Sequence, residues 1–332
     1  MSTSATPWTE SPTLTIAQDE PVTTRYQHVP ESIRELGRSL LDGLATQLPH
    51  TPDPFLRHVI ATTDGRFDAE TRALADILTV PWQELTVANL AYDIAVSLFG
   101  CSTIALPTPS GPVVARNMDW PQQDILARSS CLIRSTEKGR LKFANAGWPG
   151  AVGAVTGLSG NGFCVTLNAV LSSEPPSTDG YPVLLQIRRV LEDAHNFDAA
   201  LKALSEQPLT TSALLTLVGT DNDQRVVIER SANRCALRWP DGDAPLITTN
   251  DYRELARPQT SDEVEIYETT CSRFDYLTSF FESHSPDTSP TNDHLLYALT
   301  EPSVIQSITA QHIIMHPSSS RVQLFVPTRY LT

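Results

Sequence analysis

A cysteine, an arginine and an aspartate share one short stretch of this sequence, CSTIALPTPSGPVVARNMDW, at residues 101–120. Cys101 follows Gly100 at the start of an apolar run, and Arg116 and Asp119 lie near the end of the next run. The PTPSGP segment between the two runs is rich in turn-forming residues, so the pattern predicts a β-hairpin. In such a hairpin, the strand that carries the arginine and the aspartate returns beside the thiol.

These residue types fit a nucleophile that generates its own catalytic base. Glycine tolerates backbone conformations that other residues refuse, so the Cys101 thiol could attack the Gly100 carbonyl without a side chain in the way. Cleavage would leave the thiol beside a free α-amine, which titrates at about 7.7 to 8.0 and can accept the thiol proton. Arg116 would favour the thiolate, and Asp119 could orient an amine by hydrogen bonding. Taken singly, the same residues fit a buried cysteine and a surface ion pair.

Asn250 is a further polar candidate, because it ends the strand-like segment PLITTN. A side-chain amide can donate a hydrogen bond to the oxyanion of a tetrahedral intermediate. Considered alone, an asparagine at this point is an ordinary turn residue.

The segment that begins at Cys101 resembles the nucleophile region of the acid ceramidase and N-acylethanolamine acid amidase family. Members of this family are N-terminal-nucleophile hydrolases and relatives of penicillin V acylase and isopenicillin N acyltransferase. The matching residues are Cys101, Ser102, Ile104, Gly111, Arg116, Asn117, Met118, Asp119 and Trp120. The resemblance extends over roughly residues 30–328, including a glycine-rich strand pair, the Thr-Asn pair at 249–250 and the segment SRFDYL.

The resemblance implies an α+β fold, a four-layer αββα sandwich preceded by a helical N-terminal segment. Residues 1–100 would form a propeptide or α-subunit, and residues 101–332 would form the catalytic β-subunit with the nucleophile at its first residue. The two fragments would stay associated after cleavage of the bond between Gly100 and Cys101.

The resemblance also implies a role for each candidate residue. Cys101 would be the nucleophile, with its own amine as the general base. Arg116 would support the thiolate, and Asp119 would hold the amine. Asn250 would build the oxyanion hole, and Arg273 would be a second arginine near the site.

The substrate implied is a small-molecule N-acyl amide with a lipid-like or apolar acyl group, and neither a metal nor an organic cofactor is implied. Trp120, Trp148, Tyr252 and Asn168 are candidates for substrate contact, although buried aromatic residues more often belong to the core. One position departs from the ceramidase-like pattern: Ala169 follows Asn168 where those relatives have a glutamate.

Three alternatives compete with amide hydrolysis. The same acyl-enzyme could pass its acyl group to an amine, which would make the protein an acyltransferase. The missing glutamate gives some weight to a catalytically silent binding protein of the same fold, whereas the presence of the other candidate catalytic residues opposes it. A papain-like site would need a partner histidine, but His195, His312 and His316 lie in contexts typical of structural or surface residues.

Composition and hydropathy indicate which partners and which cellular compartment to expect. The chain has 332 residues and a formal net charge of -14, from 24 Lys+Arg and 38 Asp+Glu, which argues against a nucleic-acid surface. No apolar run reaches the roughly 18 residues of a membrane span, and the first residues lack a signal-peptide pattern, so a cytoplasmic protein without an integral membrane segment is expected. The 5 cysteines include no C-x-x-C pair, which disfavours a disulfide framework or a zinc site.

Periodicity predicts the elements that must position these residues. Apolar residues recur at helical spacing in three stretches before Gly100, and short β-rich runs begin at Cys101. The three predicted N-terminal helices cover residues 30–48, 68–78 and 80–99. Beyond them, the pattern predicts helices near 181–195, 198–206, 265–283 and 293–299, and strands near 212–220, 224–231, 234–240, 307–316 and 321–327.

Overall fold

The computed structural model describes residues 7–45, 53–96, 100–256 and 268–331. The predicted helices and strands occur in their predicted order, and the structure adds elements that the periodicity does not predict, namely strands at Trp8–Glu10 and Thr13–Ala17 and helices at Asp53–Thr62 and Gln123–Ser129. The strands are β1 Trp8–Glu10, β2 Thr13–Ala17, β3 Gly100–Leu106, β4 Val113–Asp119, β5 Cys131–Glu137, β6 Arg140–Gly147, β7 Thr156–Ser159, β8 Phe163–Asn168, β9 Ala213–Val218, β10 Arg225–Arg230, β11 Cys235–Arg238, β12 Leu246–Thr248, β13 Thr309–His316 and β14 Arg321–Pro327. The helices are α1 Glu31–Ala45, α2 Asp53–Thr62, α3 Asp68–Leu78, α4 Trp82–Asn89, α5 Ala91–Ile94, α6 Gln123–Ser129, α7 Val183–Asp193, α8 Phe197–Glu206, α9 Thr270–Phe281 and α10 Asn292–Thr300.

The strands form two sheets that lie face to face. Sheet A has 6 strands in the order β1-β14-β13-β4-β3-β12, and sheet B has 8 in the order β11-β10-β9-β8-β7-β6-β5-β2. Helices α9 and α10 cover the outer face of sheet A, where Leu277 and Leu295 pack against Ile104. Helices α7 and α8 cover sheet B, where Leu191 and Leu204 join its core. The four layers confirm the predicted αββα fold.

Strand β3 is buried on both faces, and its side chains alternate between two environments. Cys101 and Thr103 face sheet B, where the Thr103 hydroxyl donates to Asn168 Oδ1 (2.8 Å). Ser102 and Ile104 face the layer of α9 and α10. The thiol therefore lies between the two sheets, at the end of β3 where the described chain resumes.

The N-terminal arm adds one strand to each sheet. β1 pairs with β14 in the antiparallel direction, and β2 pairs with β5 in the parallel direction. These pairs are the outermost on one side of each sheet. The arm therefore ties the segment before Cys101 to both sheets.

The prediction of one continuous helix over residues 80–99 is wrong. Helix α4 ends at Asn89, and α5 begins after a turn at Leu90. The Asn89 amide donates to the Gly150 carbonyl (3.1 Å) and accepts from the Val152 amide (2.6 Å), so a tertiary contact fixes the break. Residues 97–99, the last part of that prediction, lie outside the described residues. Among the helices that are described, none combines the length and apolarity that a bilayer crossing needs.

Asp93 docks α5 onto the start of α7. Its Oδ1 accepts hydrogen bonds from the Val183 amide (2.9 Å) and from the Thr210 hydroxyl. Its Oδ2 is buried and accepts no hydrogen bond from the residues described. Burial raises the pKa of the Asp93 carboxyl to about 6, although the bonds from Thr210 and Val183 act in the opposite direction.

This shift predicts a pH dependence of stability. Between about pH 4 and pH 6 the folded chain keeps a proton that the unfolded chain releases, so the contribution of Asp93 to stability falls as the pH rises. At each pH, the free energy of unfolding of the chain with Asp93 is compared with that of the Asp93→Asn variant. From pH 4 to pH 7, this difference should change by up to about 3 kcal/mol, against the chain with Asp93. Urea titrations at several pH values, with both chains in a Cys101→Ala background, measure the difference. The exposed Asp42→Asn is the control, and a constant Asp93→Asn difference across the range would contradict the assignment.

Candidate active site

The register of the β3–β4 hairpin brings Arg116 to the thiol. Cys101 lies opposite Met118 and Thr103 lies opposite Arg116, so Arg116 is the diagonal neighbour of Cys101 on the same face. Arg116 Nη2 donates to Cys101 Sγ. Its Nη1 donates to the Thr156 hydroxyl at 2.6 Å, which fixes the guanidinium from sheet B.

The thiol is enclosed, and its environment contains opposing influences. Burial raises the pKa of the Cys101 thiol above its usual range, and the Arg116 guanidinium is the largest influence in the opposite direction. The Asp119 carboxylate adds to the rise, while Arg273 lowers the pKa. The thiol is therefore protonated at neutral pH, and a base would have to remove its proton before it could act as a thiolate.

Asp119 approaches from the other face of sheet A and lies opposite Gly100 in the strand pair. Its Oδ1 accepts a hydrogen bond from the Thr309 hydroxyl (2.6 Å). Its Oδ2 is buried and has no hydrogen-bond donor among the residues described. Burial raises the pKa of the Asp119 carboxyl, against the influence of Arg273, Thr309 and Arg116. A buried acceptor is thus available beside the Gly100–Cys101 bond.

Asn250 and Arg273 hold the backbone of the nucleophile. The Cys101 amide donates to Asn250 Oδ1 (3.2 Å), and Arg273 Nη2 donates to the same oxygen (2.8 Å). Arg273 Nη1 donates to the Cys101 carbonyl (2.7 Å) and to the Ser102 hydroxyl (2.9 Å). Asn250 Nδ2 donates to the Ala169 carbonyl (2.9 Å), which leaves its second N–H for another acceptor.

All five predicted catalytic residues therefore meet at the start of β3. The resemblance implies only that Arg273 lies near the site. In the structure Arg273, on α9, contacts the nucleophile residue itself, because it donates a hydrogen bond to the Cys101 carbonyl. Sequence reasoning missed Thr156, Thr309 and Thr270, whose hydroxyls bind Arg116, Asp119 and the Asn250 amide. No local motif marks these threonines, because each comes from a segment remote from its partner.

Two of the predicted substrate contacts line a small apolar cavity. Trp120 and Trp148 pack edge to face, with ring centroids 5.9 Å apart and planes at 85°. They border a cavity of about 50 Å³ whose other walls include Leu40 of α1 and Leu85 of α4. Cys101 is not in its walls, but Val155 is, and the Val155 carbonyl accepts from Arg116 Nη1 at 3.3 Å.

The other two predicted contacts connect parts of the scaffold. Asn168 accepts from Thr103 of β3 and donates to the Thr248 carbonyl of β12 (3.1 Å), so it joins the strands that carry Cys101 and Asn250. The Tyr252 hydroxyl donates to the Arg230 carbonyl (2.6 Å). A role in substrate binding stays a prediction for both residues. Ala169, at the glutamate position of the ceramidase-like pattern, contributes its backbone carbonyl to the site.

His312 lies on β13 near the hairpin but is not arranged as a partner for the thiol. Its Nδ1 is 2.7 Å from Asn117 Oδ1, on the face of β4 opposite to Arg116. Burial lowers the pKa of His312 to about 4, so the ring is neutral. Within the described ranges, no three histidine, cysteine, aspartate or glutamate side chains converge as metal ligands would.

Comparison with known proteins supports the resemblance. The chain is 28% identical over 186 residues to the N-acylethanolamine-hydrolyzing acid amidase of Oryctolagus cuniculus, an alignment that covers 52% of this chain and 50% of that protein. With the protein of the same name from Caenorhabditis elegans, identity is 23% over 241 residues, covering 67% and 68%. In the rabbit alignment the chain spans about half the length of its relative.

The solved structure of a Caenorhabditis elegans N-acylethanolamine-hydrolyzing acid amidase ortholog has the same fold, with a TM-score of 0.55 and 18% identity over 66% of this chain and 93% of that one. A family model described as acyl-coenzyme A:6-aminopenicillanic acid acyl-transferase matches residues 106–324. This range begins just after Cys101 and contains Arg116, Asp119, Asn250 and Arg273. The chain therefore belongs to this acyl-transferase family and has the four-layer fold of the N-terminal-nucleophile hydrolases.

Proposed function

We propose that the protein is an N-terminal-nucleophile amidohydrolase that matures by cutting its own Gly100–Cys101 bond and then cleaves the linear amide of an N-acyl amide through an acyl-thioester on Cys101. One observation carries the proposal. The Cys101 sulfur contacts Arg116 and its amide nitrogen contacts Asn250. Beside them lies the buried Oδ2 of Asp119, which accepts no hydrogen bond from the part of the chain that the structure describes.

Maturation begins with attack of Cys101 Sγ on the Gly100 carbonyl carbon. A C–S bond forms, the C–N bond breaks, and the thiol proton passes to the departing nitrogen of Cys101. Water then hydrolyses the thioester, which gives a carboxylate on Gly100 and returns the thiol. The new α-amine lies where Asn250 Oδ1 now accepts from the amide and where Asp119 offers a second acceptor.

Substrate hydrolysis uses the same atoms. The α-amine takes the thiol proton, and Sγ attacks the amide carbon of the substrate. The second N–H of Asn250 Nδ2 and neighbouring backbone amides donate to the oxyanion. Arg116 stabilises the thiolate, the leaving amine departs with the proton, and water cleaves the thioester.

The apolar cavity beside the site supports an apolar acyl group. Trp120 and Trp148 supply one wall, and Leu40, Leu44 and Leu85 of the N-terminal helices supply another. The rabbit relative carries a name that states hydrolysis of N-acylethanolamines, which are amides of this class.

We propose that the fragments 1–100 and 101–332 stay associated after cleavage. Ion pairs between residues of the first fragment and residues of the second support this. Arg188 of α7 is 4% exposed and contacts Glu70 at 3.3 Å. Arg66 contacts Glu192 (2.8 Å) and Asp193 (2.6 Å) of α7. The two fragments also share one apolar core, in which Leu40 and Leu44 join Trp120, so separation would expose this apolar surface to water. Strands β1 and β2 add backbone hydrogen bonds to both sheets.

Maturation predicts two fragments from one chain. Intact-mass analysis of purified wild type should give 1–100 and 101–332, which elute as one peak in native gel filtration, whereas Cys101→Ala should stay whole. A wild-type chain that remains whole from pH 4.5 to 8, or a Cys101→Ala chain that is cut at the same bond, would contradict the proposal.

Hydrolysis predicts release of the amine from a panel of N-acylethanolamines, ceramides, acyl amino acids and penicillin V. Replacement of Cys101 by alanine should lower the rate by more than about 10⁴-fold, because both the nucleophile and the base are lost. Cys131→Ala is the matched control: burial raises the pKa of this thiol to about 12, and the rate should stay within about two-fold of wild type. Equal rates for wild type and Cys101→Ala would disprove the mechanism.

Acyl transfer is the second candidate, because the matching family model is described as an acyl-transferase. Both reactions pass through the same thioester, and the acceptor distinguishes them. If the matured protein releases the first amine at a steady rate only when a second amine is supplied, the protein is a transferase. If water alone sustains turnover, it is a hydrolase.

A further inference from the structure

Asn250 lies just beyond a weakly held strand. Among the strands of the described residues, β12 has 3 residues, lies at the edge of sheet A and pairs only with β3. A short edge strand has few ladder hydrogen bonds, so its pairing by itself gives little rigidity. Since Asn250 must place one N–H at the oxyanion, the segment needs other anchors.

Sheet B supplies an anchor after Asn250. The side chain of Glu229, on β10, is fully buried. Its Oε1 accepts from the Arg253 amide (2.8 Å), and its Oε2 accepts from the amides of Glu254 (2.9 Å) and Leu255 (2.9 Å). One carboxylate thus binds three consecutive N–H groups of the loop that Asn250 begins.

Sheet B also supplies an anchor before Asn250. Arg238, on β11, donates from Nη2 to the Ile247 carbonyl of β12 (2.8 Å). Its Nε lies 3.8 Å from Glu229 Oε1, so the two anchors form an ion pair. Glu229 and Arg238 of sheet B therefore hydrogen-bond to the backbone on both sides of Asn250.

We propose that Glu229, paired with Arg238, is a positioning residue that holds Asn250 in the geometry its oxyanion N–H requires. This inference rests on the proposed function. A buried ion pair seldom stabilises a fold more than apolar residues of the same volume would, so a role in fixing the loop accounts for its presence.

The chemistry of the carboxylate explains why glutamate is needed. Two anionic oxygens accept three N–H bonds without a competing donor. A glutamine at Glu229 would offer one acceptor oxygen and turn an NH₂ group towards backbone N–H groups. The loop would then lose contacts on one side while Arg116 and Cys101 keep theirs.

The kinetic test uses matured protein, verified by mass, and an N-acyl amide that wild type turns over. Glu229→Gln should lower kcat about 10- to 100-fold with KM within about three-fold, and Glu229→Asp, which keeps the charge, should recover part of the loss. The control is Glu174→Gln, a carboxylate that binds Ser231 and Arg234 beside β10 but not the loop; its kcat should match wild type.

A double variant separates positioning from general destabilisation. If Glu229 acts through Asn250, Glu229→Gln combined with Asn250→Ala should be no slower than Asn250→Ala alone. Fully additive losses, or an unchanged kcat in Glu229→Gln, would overturn the inference.

Hydrogen exchange tests the anchor without activity. In a Cys101→Ala chain, which needs no maturation, Glu229→Gln should speed exchange of the Asn250 amide and of the amides at 253–255 by at least about ten-fold. If wild type hydrolyses no amide, the proposed function fails. Hydrogen exchange then tests on its own whether Glu229 holds the loop that contains Asn250. Unchanged exchange at Asn250 would overturn the inference whatever the activity.

Discussion

The antiparallel register of β3 and β4 decides which groups surround the Cys101 thiol. Because side chains alternate between the faces of a sheet, this register places Arg116 on the thiol's face and Asp119 on the other, opposite Gly100. A shift by one residue would move the guanidinium to the helical layer and the carboxylate between the sheets. The rest of the site completes this arrangement: Arg273 and Asn250 hold the backbone of Cys101, while Thr156 and Thr309 hold the charged side chains.

Burial of these charges has a chemical consequence. Arg116, Arg273 and Asp119 are all fully buried, and burial raises the pKa of both the thiol and the Asp119 carboxyl. With the Gly100–Cys101 bond in place, the thiol is therefore protonated at neutral pH, and the nitrogen of Cys101 is an amide that cannot act as its base. The proposed cleavage would convert that amide into an α-amine, a base within the thiol's own residue.

The sequence predicts the hairpin and its charged residues well, because they are adjacent in the chain and joined by a local turn. Arg273 follows from the family resemblance but its bond to the Cys101 carbonyl does not, since it depends on how α9 packs on sheet A. The helix break at Leu90 likewise depends on tertiary packing, because Asn89 hydrogen-bonds to the backbone of a loop distant in sequence. No local sequence pattern predicts the role of Glu229, because a glutamate in a strand is usually exposed to solvent. Its role depends on three backbone amides from a distant loop, which donate to its carboxylate in the folded chain.

The central claim is that a Cys101 released as an N-terminus carries the acyl group of the substrate. Matured protein mixed with an N-acyl amide, quenched in acid within milliseconds to seconds and analysed by mass spectrometry, tests it most directly. The fragment 101–332 should gain the mass of the acyl group, and peptide mapping should place that mass on the N-terminal Cys101. Acyl mass on any other residue, or turnover by a chain in which Cys101 is not N-terminal, would contradict the account.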